Sequence, residues 1–128
     1  MTKLTSYQAY RAMYNFMCEL YDSMDNDTLG AVLESLRIKR ETGLPVNKNI
    51  KNDWEKLVTR SGLQNFSPKD AWDLMEEFLR GIGQALDSLP MDKVISYVSL
   101  HENDKETQAT WAEMVEIAAG EDEDWEEK

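Results

Sequence analysis

The sequence predicts an all-α protein of about six helices, arranged as two related three-helix units that share one core. Apolar side chains recur at helical spacing along most of the chain, and only the run 94–100 resembles a strand. Residues that favour helix caps precede the helical runs, and glycines follow two of them. The apolar pattern of the first run also recurs, at a constant shift, in the fourth. A repeated helical unit is therefore expected.

The first and fourth helices carry the recurring pattern. The first is expected to begin after Thr5, where Gln8 completes a capping box. The fourth is expected to begin after Ser67, with Pro68 in the first helical position and Asp70 in the third. The two runs share a hydrophobic staple (Leu4, Phe66) and a core stripe, which reads Ala9, Tyr10, Met13, Phe16, Met17 and Leu20 in the first and Ala71, Trp72, Met75, Phe78, Leu79 and Ile82 in the fourth.

The second and third helices complete the first unit. The turn-forming run 25–28 starts a helix from about Thr28 to Ile38, and the run 42–45 breaks the chain after it. A third helix follows from about Asn49 to Ser61, with Gly62 as its C-cap. Their predicted inward residues are Leu29, Val32, Leu33 and Leu36 in the second helix and Ile50, Trp54, Leu57 and Val58 in the third.

The fifth and sixth helices form the corresponding part of the second unit. The fifth is expected from about Ser88 to Leu100, because Pro90 suits a first turn and the run parallels the second helix, although β-branched residues at 94–100 favour a strand. The sixth runs from Lys105, through Trp111, to Gly120. We therefore predict one domain, 1–128, with the repeat at 4–62 and 66–120 and an acidic tail at 121–128. Units of about 60 residues bury too little surface alone, so we expect one shared core about a pseudo-two-fold axis.

Composition places the chain among ordinary folded domains and favours a cytoplasmic location. The single cysteine, Cys18, excludes an intramolecular disulfide. No apolar run approaches the roughly 20 residues needed to span a bilayer, and the N-terminus lacks a signal-peptide core. We therefore expect a cytoplasmic protein that does not bind membranes.

Charge is distributed unevenly. The formal net charge is −11, yet residues 37–60 contain seven of the fourteen basic residues. Residues 61–128 contain five basic and seventeen acidic residues, a local net charge of −12. Such a field repels nucleic acid and anionic membrane and favours basic partners. Solubility alone is the alternative explanation for this acidity.

The chain offers no set of residues on which to argue for catalysis, a cofactor or a metal. It has one histidine, His101, and one cysteine. Asp70, Asp73 and Glu77 fall on one face of the fourth helix, but no histidine joins them and Arg80 follows at the next turn, which indicates a solvated, ion-paired face. We therefore expect a binding protein, not an enzyme.

A ridge of tyrosines distinguishes the first helix from the fourth. Four tyrosines lie along it, and only one position is preserved in kind between the two helices: the ridge reads Tyr7, Tyr10, Tyr14, Cys18 and Tyr21 in the first and Lys69, Trp72, Glu76, Arg80 and Gly83 in the fourth. A shared core does not require the others. Tyrosines are enriched in binding interfaces, although covering the boundary between core and solvent, or receiving the C-terminal tail, is the more common role.

The order of structural marks in residues 9–58 resembles that of a known family. The marks are Ala-x-x-Met-x-x-Phe-Met at 9–17, Asp-Asn-Asp-Thr-Leu-Gly at 25–30, Gly-Leu-Pro at 43–45 and Asp53-Trp54. In this respect the chain resembles the small helical immunity proteins encoded beside polymorphic bacterial toxins, including those of contact-dependent growth inhibition systems. The resemblance implies a cytoplasmic protein that binds one cognate toxin, often a basic nuclease, and blocks its active site without catalytic residues of its own.

The partner-binding residues must come from this chain's own charge and aromatic pattern. We expect a basic toxin domain to be attracted by the acids and held by tyrosines, with the contacts Asp70, Asp73, Glu76, Glu77, Glu102, Asp104, Glu106, Tyr7, Tyr14 and Tyr21. An acidic helical DNA mimic, or a regulatory adaptor that competes for a nucleic-acid-binding surface, is the alternative function.

Overall fold

A computed structural model describes residues 3–24, 27–38, 45, 48–85 and 92–120, and these residues form six α-helices. The helices are α1 (Ser6–Met24), α2 (Asp27–Leu36), α3 (Lys48–Ser61), α4 (Pro68–Ala85), α5 (Asp92–Leu100) and α6 (Lys105–Ala119). In these ranges extended pairing is limited to two isolated antiparallel bridges, Leu4–Phe66 and Ile38–Pro45. The all-α prediction is confirmed. None of the described helices is both long enough and apolar enough to cross a bilayer.

The helix boundaries follow the caps closely, with one difference at the end of α2. α2 ends at Leu36, and Ile38, its predicted last residue, instead pairs with Pro45 in a bridge. Residues 94–100 are helical, so a strand there is excluded. Several predictions fall outside the part of the chain that the structure describes. They are the start of α5 at Ser88 and Pro90, the turns at 25–26 and 42–44, the side chains of Leu29, Ile82 and Val94, and the tail 121–128.

The predicted capping boxes are present at α1 and α4. The Gln8 N–H donates to Thr5 Oγ1 at 3.1 Å, and the Thr5 N–H donates to Gln8 Oε1 at 2.9 Å. At α4 the Asp70 N–H donates to Ser67 Oγ at 3.1 Å, and the Ser67 N–H donates to Asp70 Oδ2 at 3.3 Å. α3 ends at Gly62, whose φ of +73° is the left-handed conformation expected of a C-cap glycine. Local sequence therefore determines where these three helices start or stop.

The two predicted staple residues bind each other. The Leu4 N–H donates to the Phe66 carbonyl at 2.8 Å and the Phe66 N–H donates to the Leu4 carbonyl at 2.9 Å, and both side chains are buried. These residues are 62 positions apart, the same shift that relates the apolar stripes of α1 and α4. Corresponding residues contact each other where they lie beside a two-fold axis, so this pair is consistent with such an axis between the two units. The repeat itself stays a prediction.

Trp54 of α3 is fully buried against α1 and α4. Its indole N–H donates to the Ser6 carbonyl at 3.1 Å. Its ring meets Tyr10 edge-on at a centroid distance of 5.5 Å and Phe78 at 5.2 Å. α3 is thus fixed to the start of α1 and to the middle of α4.

Trp111 of α6 makes the same kinds of contact as Trp54. In these contacts α4 takes the place of α1, and α1 takes the place of α4. Its indole N–H donates to the Pro68 carbonyl at 2.9 Å. Its ring meets Trp72 at 5.3 Å and Phe16 at 5.6 Å, both edge-on. Pro68 and Trp72 are 62 positions after the Trp54 partners Ser6 and Tyr10, and Phe16 is 62 positions before Phe78. The prediction that both tryptophans are core anchors is confirmed by their burial.

The core lies between α1 and α4, which pack against each other. α1 also packs on α2 and α6, and α4 packs on α5 and α3, so each central helix contacts the terminal helix of the other unit. The buried apolar residues form one contiguous cluster that draws on the described parts of both units. The predicted acidic residues lie on α4 and around the α5–α6 turn, outside this core.

Candidate protein-binding surface

Three of the predicted acidic residues line the side of α4 that faces α3. Asp70, Asp73 and Glu77 are spaced i, i+3 and i+7, which places them in a row along one face of the helix. Asp73 and Glu77 are exposed, whereas Asp70 is half-buried because it also caps the helix. The row therefore presents a line of carboxylates toward the space between the two helices.

Lys69 joins this row to the turn between α5 and α6. Its Nζ lies 3.0 Å from Asp73 Oδ1 and 3.0 Å from Glu102 Oε1. The hydrogen bonds to Asp73 and Glu102 raise the pKa of Lys69. Acids that are about thirty residues apart in sequence are therefore neighbours, as the predicted surface requires.

Glu76 has a different role from its neighbours on α4. Its Oε1 accepts a hydrogen bond from the Trp72 indole N–H at 2.8 Å, and its Oε2 lies 3.6 Å from Arg80. Only 16 % of its side chain is exposed. Glu76 therefore satisfies a buried tryptophan and offers little charge to a partner.

Asp104 and Glu106 lie in another groove, between α1 and the α5–α6 turn. We call it the second groove, to distinguish it from the groove between α3 and α4. Asp104 caps α6 by accepting hydrogen bonds from the Thr107 N–H at 3.1 Å and the Thr107 hydroxyl at 3.0 Å, and these bonds lower the pKa of Asp104. Glu106 is exposed in the first turn of α6. The groove has a volume of about 350 Å³, and the acid Glu19 also lines it.

The chain's histidine and cysteine lie apart from each other. His101 stacks on Tyr97 in the second groove at a centroid distance of 4.0 Å, and its Nδ1 is 2.9 Å from the Tyr97 carbonyl oxygen. Cys18 is half-buried beside Tyr14, and burial raises the pKa of its thiol, which disfavours the reactive thiolate. Within the described residues, no group of three histidine, cysteine or acidic side chains is placed to hold a metal ion.

The tyrosine ridge is less available to a partner than expected. Tyr7 is only 2 % exposed, so in this fold it presents almost no surface to a partner. α3 covers the first turn of α1, where Trp54 binds the Ser6 carbonyl and the Ser6 hydroxyl donates to Glu55 at 3.0 Å. Tyr14 and Tyr21 are half-buried. They keep some accessible ring surface, and Tyr7 does not.

Tyr14 and Tyr21 lie on a different side of α1 from the second groove. Tyr14 and Glu19 are five residues apart on α1, which places them about 140° apart around the helix axis at ~100° per residue. Glu19 faces the second groove, whereas Tyr21 faces Gly30 of α2. The expected combination of acids and tyrosines in one patch is therefore not formed by Tyr14 and Tyr21.

A groove with leucine walls between α3 and α4 was not foreseen from the sequence. Leu57, Leu63 and Leu74 line it beside the carboxylate row, and Leu63 is 41 % exposed. One sequence signal for it exists: Leu63 follows the C-cap Gly62 and so lies outside the helix that it flanks. The width of the groove, by contrast, depends on how far α3 lies from α4, which no local pattern specifies.

Comparison of the chain with protein-family models, with curated proteins and with solved structures returns no match. The chain's own surfaces, above all the carboxylate row of α4 and the groove beside it, are therefore the features from which a function can be inferred.

Proposed function

We propose that this protein is an immunity protein, which binds a cognate basic toxin domain and neutralises it by covering its active site. One observation carries the proposal: carboxylates from two separate elements converge on one side of the molecule. Asp73 of α4 and Glu102 of the α5–α6 turn share Lys69, and Glu77 continues the row. The resemblance of residues 9–58 to immunity proteins supports the same class.

The electrostatics suit this role. Residues 61–128 have a local net charge of −12 and include the whole carboxylate row. A surface of one sign steers an oppositely charged partner and raises its association rate at low ionic strength. Toxins that cleave nucleic acid need a basic surface to hold phosphates, so such a toxin has the complementary field. Occlusion also requires no catalytic group from the inhibitor.

Co-expression with a toxin tests the assignment. The partner to use is the C-terminal domain of the toxin gene that lies directly upstream of the gene for this chain. The proposal expects restored growth and a stable complex of the two proteins that elutes together in size-exclusion chromatography. The absence of a toxin gene beside this one, or cell death that is unchanged by co-expression, would overturn the assignment.

A matched pair of charge reversals tests the surface. Glu77→Lys changes the groove side of α4, and Glu113→Lys makes the same charge change on an exposed position of α6. We expect Glu77→Lys to slow toxin association several-fold at low salt, and Glu113→Lys to have a smaller effect. The difference should shrink at high salt, since charges are screened over about 8–10 Å at physiological ionic strength. Equal association rates for the two variants would show that the acidic row acts only in solubility.

An acidic DNA mimic or regulatory adaptor is the second candidate. The regular spacing of Asp70, Asp73 and Glu77 favours it, because evenly spaced carboxylates can compete with a row of phosphates. The two functions differ in the partner. An immunity protein suppresses the activity of a toxin, whereas a mimic displaces nucleic acid from a protein that is not toxic to the cell. A gel-shift competition assay with the purified partner separates them.

A further inference from the structure

The groove between α3 and α4 has apolar walls that the protein itself leaves partly uncovered. Leu74 and Phe66 form its buried floor, and Leu57 and Leu63 form the side nearest α3. The opening that contains these residues has a volume of about 270 Å³, and a second opening of about 250 Å³ continues it past Glu77 toward Phe78. The two openings share Leu57, Arg60 and Glu77, so they form one continuous groove.

The corresponding helix pair, α1 and α6, opens into the second groove at Phe16, Glu19 and Thr107 but is filled nearer the start of α1. Ala12 and Ala118 are both fully buried there, and the Gln8 side-chain amide donates to the Ala119 carbonyl across the pair at 3.4 Å. Leu74 occupies in α4 the position that Ala12 occupies in α1. A larger side chain at the contact holds two helices farther apart. The α3–α4 pair is therefore open where the α1–α6 pair is filled.

The groove has charged rims of opposite character. The α4 rim has Asp70, Asp73 and Glu77, whereas the α3 rim has Lys56 and Arg60, together with Asp53. Along α4 the lining residues run from Asp70 to Gly81, which is about 16 Å at ~1.5 Å per residue, or about three helical turns. An occupant with one basic flank and one apolar face matches both the length and the charge.

We propose that this groove binds an amphipathic helix of the toxin, with its apolar face on the leucines and its basic flank against the α4 rim. This inference depends on the proposed function and identifies which element of the toxin this chain recognises. A helix suits the groove better than an extended segment, because two neighbouring helices offer ridges into which a third packs, and neither offers an unpaired strand edge. The leucines supply the contacts that resist dissociation, and the acids orient the helix.

The first experiment uses the full chain and a defined probe. The probe is a synthetic peptide of about 18 residues, long enough to form a helix in isolation, with Leu at i, i+3, i+4 and i+7 positions, Lys along one flank of that apolar face and uncharged polar residues elsewhere. Leu63→Asp places a charge in the groove, and Leu100→Asp places the same charge on α5 at a residue that is 80 % exposed. We expect Leu63→Asp to weaken peptide binding about tenfold and Leu100→Asp to leave it within about twofold, measured by calorimetry.

The affinities of the two variants for the peptide decide whether the groove is the binding site. Equal binding by the two variants would overturn the groove as the site, because general attraction to an acidic protein would then explain the affinity. A control peptide with Glu in place of Lys should bind more weakly to the parent chain. If it binds equally well, the charged rim has no role and the proposed orientation is wrong. Leu63→Ser serves as a second variant, and circular dichroism checks that each variant is folded.

The second experiment uses the toxin domain and separates this inference from the proposed function. If the parent chain protects cells and Leu63→Asp binds the toxin about tenfold more weakly than Leu100→Asp does, both proposals are supported. If protection and binding are the same for all variants, the groove inference fails and the immunity function stands. If the parent chain neither binds nor neutralises the toxin, the immunity function fails, whatever the peptide shows.

Discussion

Trp54 and Trp111 each combine an edge-on aromatic contact with a hydrogen bond from the indole N–H to a helix-start carbonyl. Truncation of either residue to Ala removes both interactions and opens a cavity. We expect a loss of about 3–5 kcal/mol in the free energy of unfolding for each, the usual range for a large buried aromatic residue. Chemical denaturation followed by circular dichroism measures it. A Trp54→Ala variant that keeps the parent stability but no longer binds the proposed partner would contradict a structural role.

The carboxylate of Asp104 makes stability depend on pH. Its hydrogen bonds from Thr107 lower its pKa in the folded state, so the folded state binds its proton less readily than the unfolded state does. The contribution of this group is therefore complete above the ordinary aspartate pKa of about 4 and is lost as the pH falls through the folded value.

Two substitutions isolate that contribution. Asp104→Ser keeps a capping oxygen without a titratable group, whereas Asp104→Ala removes the cap. We expect the thermal midpoint of Asp104→Ser to fall less than that of the parent between about pH 5 and pH 3. Asp104→Ala should melt below the parent at pH 7. Identical pH dependence in the parent and Asp104→Ser would show that the bond to Thr107 does not couple to folding.

At the residue level, the sequence predicts what local chemistry determines. Thr5 and Ser67 were identified as caps because their partners, Gln8 and Asp70, are three residues away. The burial of Tyr7 is not predicted by the local sequence, and elements far along the chain, such as α3 through Trp54, pack on the first turn of α1. Whether a side chain beside a core stripe is exposed thus depends on how distant elements pack, which the local sequence does not specify.

At the level of elements, α2 contains a glycine against which a tyrosine packs. A Cβ atom added to Gly30 would lie 3.0 Å from Tyr21 Cε2, so the ring would have to move. Alanine is preferred over glycine in a helix by about 1 kcal/mol. We expect Gly30→Ala to give no stabilisation in the parent and about 1 kcal/mol in a Tyr21→Ala background. A double-mutant cycle by urea denaturation checks this. The same gain in both backgrounds would mean that the two residues are not coupled.

The groove between α3 and α4 shows the limit of prediction at this scale. Each helix was predicted with its inward residues, and Leu57 was among them. The separation of the pair depends on Leu74 in α4, where the corresponding α1 position has alanine, and on how both helices pack against the core. Helical periodicity identifies the apolar face of each element but does not determine whether two such faces close on each other.

At the scale of the whole molecule, the acids and the tyrosines were expected to cooperate, and the fold separates them. Glu102 reaches the α4 acids through Lys69, whereas Tyr14 and Tyr21 lie on the opposite flank of α1 from Glu19. The total charge could be read from composition, but its grouping depends on which turn lies beside which helix. In the proposed complex the leucine groove supplies the apolar anchor that the sequence-based hypothesis assigns to the tyrosines.

Aromatic contacts and a backbone bridge join residues 1–63 to residues 64–128. Tyr10 of the first unit meets Phe78 at 6.4 Å, Phe16 meets Trp72 at 5.3 Å, and the Leu4–Phe66 bridge joins the two helix starts. Separate chains of residues 1–63 and 64–128 would each expose one side of these contacts. Units of about 60 residues already bury a small fraction of their surface, so each half should be unfolded or self-associated in circular dichroism and sedimentation measurements.

Mixing the two halves supplies the control for that experiment. Because each tryptophan completes its contacts with an aromatic residue of the other unit, a mixture should regain helicity that neither half has alone. The intact chain should then unfold in one cooperative transition, with calorimetric and van't Hoff enthalpies in agreement. Two separate transitions in the intact chain, or a half that melts cooperatively as a monomer, would show that each unit has its own core and that the aromatic contacts between them are dispensable.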